Sequence, residues 1–440
     1  MKTFKLNTGQ QRMHDVLTND QIIRILAVSG SRSGKTFEFI RSLIRRALNA
    51  DESRHGIIRK NFSQAKRYIW YDTFPQVINT VYPKLKPLLK EDKSDYYYKF
   101  PNGSEIWLGG LDDKERADKI LGAEYNTIYF NEVSEIMYES VETALTRLAK
   151  KSYLKDGRQL INKAYFDCNP PAKNHWSYKL FFEHIDPKTR IAIPDPETYA
   201  KVHLKPEENK ENLADNYVKT LANLTGSARL RFYEGLYQEE ITGALWREDT
   251  INRTRVNQYP SMERIIIAVD PAVTKKDTSD ETGIVVAGLG FNGHLYVLED
   301  LSGYYTPGEW AAKVVNAYNR WEADLIVGET NNGGDLVETN ILNYAPGVGF
   351  LQIHASRGKI TRAEPISSLY ERGVVHHVGQ FTDLEYQMTT YTGYMNEKDQ
   401  RELGSPDRMD AMVYALTELA NPSEQDDGIV LYSDRVNIDI

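Results

Sequence analysis

The chain has 440 residues, 41% apolar and 26% charged, with 29 glycines and 17 prolines, close to the globular average and outside the collagen-like and low-complexity classes. Its 54 basic and 62 acidic residues leave a formal charge of −8, which argues against a general nucleic-acid coat but allows one local basic track. A single cysteine, Cys168, excludes a disulfide framework, and the start MKTFKLNTGQQRM and the absence of long apolar runs predict a soluble intracellular protein with no membrane span.

IIRILAV (22–28) reads as a buried strand. The turn SGSRSGKT leads from it into a helix marked by Phe37, Ile40, Leu43, Ile44, Ala47 and Leu48 at spacings of three and four. GIIRK (56–60) is a second strand, followed by a helix through Ala65, Ile69, Phe74 and Val77. Residues 96–100, the turn Pro101-Asn102-Gly103 and SEIWLGG form a hairpin signal, and TIYF (127–130) and KAYFDC (163–168) are further strands. Strands alternating with helices predict an α/β domain over 1–190 with a mostly parallel sheet covered on both faces. Residues 191–260 are polar and proline-containing and read as a connector. IIIAVD (265–270), GIVVAGLG, the turn FNG and HLYVLED then form an antiparallel meander. A helix at 307–321, the strand LIVGE (325–329), a helix, the strand GFLQIHA and further helices complete a second domain over 261–422. The remainder, 423–440, reads as a mobile acidic tail.

Ser29-Gly30-Ser31-Arg32-Ser33-Gly34-Lys35-Thr36 lies between strand and helix, the context a phosphate-binding loop needs. Small residues let backbone N–H groups turn inward, and the helix start favours anions. Lys35 is expected to reach the β- and γ-phosphates of ATP, and the Thr36 hydroxyl to bind Mg²⁺. Ser29 departs from the usual motif, which has glycine there. TIYFNE supplies Glu132 as a base that polarises water. Asn131 stands where an aspartate usually holds the metal's water shell, and an amide brings no negative charge. Arg32 within the loop, or Arg116 from a neighbouring subunit, is a candidate for the γ-phosphate.

A second set of carboxylates lies downstream. Asp270 ends IIIAVD, Glu329 ends LIVGE, and Asp407 and Asp410 sit three apart on one helix face. Ser405 as N-cap and Pro406 in the first turn fix that helix start. The element order is that of an RNase H-like fold, in which the first and fourth strands are neighbours. Asp270, Glu329 and Asp410 are then expected to converge on hard cations, Mg²⁺ or Mn²⁺, as a pair that activates water and stabilises the leaving 3′-oxygen. Asp407 either joins them or only serves the helix dipole, and Asp335 competes with Glu329.

These residues resemble the large terminase subunit of tailed bacteriophages. The similarity covers nearly the whole chain and rests on SGSRSGKT, FNE, DCNPPAKNHW, VDPA, VGETNNGGDLV, RGKITRAEPISSLYERGVVHHVG and LGSPDRMDAMVYALTEL. It implies an N-terminal RecA/ASCE-like P-loop ATPase that drives double-stranded DNA into a procapsid, joined to an RNase H-like two-metal endonuclease that cuts concatemeric DNA. By the same resemblance Gln11 contacts adenine, Asn169 couples hydrolysis to movement, and Lys359 and Arg362 line the nuclease groove. The implied partners are DNA, a portal protein, a small terminase subunit and further copies in a pentameric ring, in the host cytoplasm. Two alternatives are a P-loop helicase or transposition ATPase with an RNase H-like domain, and a nucleotide-dependent binding protein that cuts nothing.

Overall fold

Ile25, Leu26, Ala27 and Val28 are all buried in β1 (Arg24–Ser29), as a strand covered by helices on both sides requires. Successive side chains point to opposite faces. Ile25 and Ala27 join one core with Phe39, Leu43 and Ala47 of the helix Lys35–Asn49. Leu26 and Val28 join another with Phe130, Phe166 and Trp176. The computed structural model describes residues 4–111, 117, 120–214, 216–239, 244–271, 281–329, 334–353, 359–392, 405–420 and 431–432, and the chain divides into units Met1–Glu239 and Glu240–Ile440. Arg116 and nearly all of the 423–440 tail lie outside the described residues, as does the side chain of Asp335.

The first unit holds an eight-stranded sheet. Its strands are β1, β2 (Arg54–Arg59), β3 (Lys90–Asp92), β4 (Tyr97–Lys99), β5 (Glu105–Gly110), β6 (Thr127–Phe130), β7 (Lys163–Cys168) and β8 (Tyr199–Leu204). The order is β3-β4-β5-β2-β6-β7-β1-β8. All pairings from β5 to β8 are parallel, and β3 and β4 extend the sheet antiparallel. β8 falls in the stretch read as a connector. It pairs with β1 from Arg24↔Tyr199 to Ser29↔Leu204, and only Val202 and Leu204 are buried along it. One apolar face on an edge strand leaves a weak signal.

The second unit holds β9 (Met262–Asp270), β10 (Gly283–Gly290), β11 (Leu295–Asp300), β12 (Leu325–Glu329), β13 (Phe350–Ile353), β14 (Val375–His377) and β15 (Leu431–Tyr432). The order is β14-β11-β10-β9-β12-β13-β15. β9, β10 and β11 form the antiparallel meander, and β12 lies parallel beside β9 with Leu325 opposite Ile266. Ile266 and Ala268 face a core built with the helix Asp407–Ala420. Ile267 and Val269 face the helix Pro307–Trp321. Among the described residues, no helix is long and apolar enough to cross a membrane.

Candidate functional site

In the first unit, β1 delivers Ser29 to the loop and the helix takes over at Lys35. Gly34 joins them at φ 91°, a backbone conformation that glycine adopts without a Cβ penalty. The Lys35 ammonium donates to Asn169 Oδ1 at 3.0 Å and lies 3.8 Å from Glu132 Oε1. Glu132, directly after β6, is held at φ 55°, a sparsely populated region for a residue with a side chain. Its N–H donates to Asp167 Oδ1 at 2.8 Å. The Thr36 hydroxyl donates to Asp167 Oδ2 at 3.3 Å. Burial and the nearby Glu132 push the Asp167 carboxyl up to about 6, against the pull of Lys35. The loop thus joins Lys35, Thr36, Glu132 and Asn169, as the sequence reading expects, and adds Asp167, which that reading missed. Its signal was an acid inside the apolar run KAYFDC, since an aspartate is rarely buried without a partner.

Two readings meet a different geometry. Asn131 turns away from Thr36: its Oδ1 accepts from Arg59 at 2.8 Å, and its Nδ2 donates to Tyr129 Oη and Asp167 Oδ1, both at 3.0 Å. Gln11 is exposed and donates to Asp15. It is Gln10 that is buried and reaches the Gly34 carbonyl, at 3.4 Å. The capping box of Asn7 and Gln10 fixes the phase of the helix Thr8–Thr18, and one residue further on is a turn of about 100° away from the loop. Arg32 is exposed, with its carbonyl accepting from Asn209 at 2.8 Å.

In the second unit, Asp270 at the end of β9 meets Asp407 and Asp410 from the first turn of the helix Asp407–Ala420. One carboxylate oxygen from each lies within 4.8 Å of the other two. Asp407 and Asp410 are buried, so Asp407 belongs to the cluster itself. Burial, then Asp410 and Asp407, pushes the Asp270 carboxyl well above the usual range. Burial pushes Asp407 up to about 7, and it raises Asp410 too, partly offset by Lys359. Three crowded carboxyls that resist ionisation, with no histidine or cysteine among them, form an oxygen donor set suited to hard divalent cations. Glu329 stands beside this cluster, its charge further raising the Asp270 and Asp410 carboxyls, and accepts from the Tyr414 hydroxyl.

What seats the acidic helix was not visible in its own sequence. Arg408 is buried between Asp407 and Asp410 and donates to Glu281 Oε1 at 3.0 Å and Asp300 Oδ2 at 2.7 Å. Gln387 Oε1 accepts from the N–H groups of Arg408 and Met409, at 3.0 and 3.2 Å, satisfying two free donors of the first turn. Gly283 lets the helix approach β10, since a Cβ there would stand 2.0 Å from the Asp407 carbonyl oxygen. The Lys359 ammonium pairs with Asp410 and reaches Ser405 Oγ at 3.3 Å. The Arg362 guanidinium lies over the Tyr414 ring at 5.1 Å, with Nε and Nη1 lacking a hydrogen-bond partner among the described residues.

Residues 26–253 match the family described as terminase large subunit, T4likevirus-type, N-terminal, and residues 267–419 match the terminase RNaseH-like domain. Among solved structures, the large terminase of a thermophilic bacteriophage is similar at 16% identity, covering 95% of this chain and 100% of that one, with a TM-score of 0.44. The HK97 bacteriophage large terminase is similar at 10% identity, covering 94% and 95%, with a TM-score of 0.44. The ATPase domain of the Thermus phage P74-26 large terminase is similar at 16% identity, covering 53% of this chain and 94% of that domain, with a TM-score of 0.38. No curated protein matches the chain.

Proposed function

The chain belongs to the terminase large-subunit family, DNA-packaging enzymes that join an ATPase to a nuclease, and we propose that Lys35, Thr36 and Glu132 run the first activity and Asp270, Asp407 and Asp410 the second. In the motor, the backbone N–H groups of the loop, other than that of Ser31, which donates to the Phe232 carbonyl at 2.7 Å, receive the phosphates of ATP, and Lys35 leaves Asn169 and Glu132 to neutralise them. Glu132 then has an open carboxylate with which to draw a proton from the attacking water. Asn169, bonded to Lys35 before nucleotide arrives, is released by the same step and is suited to carry the signal onward. Gln10, rather than Gln11, is the glutamine placed to respond to the loop, through Gly34.

In the nuclease, Asp270, Asp407 and Asp410 hold Mg²⁺ or Mn²⁺, with Glu329 beside them. Such cations, when bound, activate water and neutralise charge on the leaving 3′-oxygen. Arg362, held over the Tyr414 ring, is the residue that the family resemblance assigns to the DNA groove. The finer partners follow from the family: a portal protein, a small subunit and a ring of copies on the procapsid in the host cytoplasm, with Arg32 or Arg116 serving the γ-phosphate.

The observation that carries this reading is the cluster of Asp270, Asp407 and Asp410, whose oxygens close to within 4.8 Å in the same chain as the loop SGSRSGKT. The binding-protein alternative does not ask for that cluster, and the family match over both domains favours packaging over a helicase or transposition ATPase with an RNase H-like domain. The test is plasmid cleavage in Mn²⁺ beside ATP hydrolysis for wild type, Asp410→Ala and Lys35→Ala. Asp410→Ala should lose cleavage and keep hydrolysis, and Lys35→Ala should do the reverse. Full cleavage by Asp410→Ala, or loss of both activities in a folded single variant, overturns it.

A further inference from the structure

In the motor site an amide, Asn131, stands where an aspartate is expected. Thr36, whose hydroxyl serves the nucleotide's cation in a phosphate loop, needs an anionic side chain within reach to hold that cation firmly. β6 offers only Asn131 at the expected position. Its carbonyl is taken by Arg59, and its amide donates to Tyr129 and Asp167, so it presents neither charge nor a free acceptor to Thr36.

The neighbouring strand supplies both. β6 and β7 run parallel in register to Phe130↔Phe166, so Asn131 and Asp167 are the next residues on adjacent strands. β7 lies between β6 and β1, the strand that feeds the loop, with Ala27 opposite Asp167. Moving the carboxylate from 131 to 167 therefore shifts it by one strand spacing, about 4.8 Å, toward the phosphates. Its two oxygens divide the work. Oδ2 takes the Thr36 hydroxyl, and Oδ1 takes the Asn131 amide and the Glu132 N–H.

From this we infer that Asp167, one strand away from the expected position, provides the negative charge that holds the nucleotide's divalent cation through Thr36, and that Asn131 is the residue that aims it. The inference rests on the motor reading above. It also gives Asp167 a second task, because the oxygen facing away from Thr36 pins the left-handed backbone of Glu132. Cation binding and the placement of the hydrolytic glutamate are thus tied through one side chain. Restoring an acid at 131 alone then gains nothing. Two carboxylates would face each other where an amide now donates at 3.0 Å, and one of them would keep its proton.

The experiment measures binding of a fluorescent ATP analogue to the full chain with Mg²⁺ and with EDTA, for wild type, Asp167→Asn, Asn131→Asp and the exchange Asn131→Asp/Asp167→Asn. The readout is the ratio of the two affinities, so activity is not involved. Asp167→Asn should cut the Mg²⁺-dependent gain by about 10–100-fold, the usual cost of an outer-shell partner. Asn131→Asp should not raise it. The exchange, which keeps one amide and one acid in contact and so guards against a folding defect in the single variant, should melt normally and still lack the gain, because its acid sits at 131 beside Arg59. A wild-type gain in Asp167→Asn, or full recovery in the exchange, overturns the inference. Lys35→Ala is the control for the underlying reading: if it binds the analogue as wild type does, the loop is not the nucleotide site and both statements fall together.

Discussion

The two sites handle charge in opposite ways. Around the phosphate loop, each strong group already has a partner: Lys35 meets Asn169 and Glu132, Thr36 meets Asp167, and Asp167 meets Asn131. Around Asp270, three carboxyls crowd together, and Lys359, paired with Asp410, supplies an ammonium that offsets only part of their charge. The first site is a set of internal hydrogen bonds that nucleotide must exchange for its own. The second is a set of crowded carboxyls that hold protons in place of full negative charge until a divalent cation takes their place. Ligand binding at the motor is thus expected to reorganise side chains, whereas at the nuclease it is expected to release protons.

The largest effect that would sharpen this contrast lies at the motor. Glu132→Gln keeps the shape beside Lys35 but removes the base. Turnover should fall about 10²–10⁴-fold, with binding of a fluorescent ATP analogue retained and cleavage in Mn²⁺ unaffected. Near-normal phosphate release would show that the base lies elsewhere.

Next in size is a change that touches no carboxylate. Gly283→Ala would drive a Cβ into the Asp407 carbonyl, 2.0 Å away, and backbone cannot yield as a flexible side chain can. The acidic helix must move, and a misplacement of about 1 Å can cost about 10²-fold in rate. Cleavage should drop by that order, melting should show a loss of about 1–3 kcal/mol, and ATP hydrolysis should persist. Wild-type cleavage in Gly283→Ala would mean that the helix seat is loose.

Much of this was legible because its signals are local. The strand, small-residue turn and helical period around Lys35 are contiguous, and the helix Pro307–Trp321 announces itself through the Thr306–Glu309 capping box and a proline in its first turn. Asp407 and Asp410 share a face by spacing alone. What stayed hidden depends on strand neighbours or on phase. Asp167 matters because β7 lies between β6 and β1, Gly283 because a helix more than a hundred residues later lands on it, and Gln10 because a cap sets the rotation of its helix. Arg408 could have been read as a solvated arginine, and only the fold brings Glu281 and Asp300 to it.

The contrast also predicts a pH dependence. The Asp407 carboxyl is raised to about 7, so the metal-free fold holds a proton there that the unfolded chain releases near the ordinary carboxylate value. Stability without metal should therefore decline as pH rises between those limits. A cation must displace the proton, so Mn²⁺ affinity should climb about tenfold per pH unit up to about 7, from this group alone, and then flatten. Melting in Mn²⁺ against EDTA from pH 6 to 8 reads this directly. A metal-induced shift that does not grow with pH would show that the carboxylates are already ionised.

The smallest effect separates two roles for Lys359, which was expected in the DNA groove and is found on Asp410. Burial alone would lower its ammonium, but Asp410, Asp270 and Asp407 hold it above its ordinary value, so it is charged when a cation arrives. Its side chain is 36% exposed, which places the bond to Asp410 at the weak end of charged hydrogen bonds, about 1.5 kcal/mol. Lys359→Met removes that competitor and should tighten Mn²⁺ binding roughly tenfold. The gain should be largest at alkaline pH, because without the ammonium Asp410 keeps its proton to a higher pH. If Lys359 also meets DNA, cleavage at saturating Mn²⁺ should fall even as metal binding improves. Tighter metal binding with unchanged cleavage would confine Lys359 to the cluster, and unchanged metal binding would show that the ammonium leaves Asp410 at no cost.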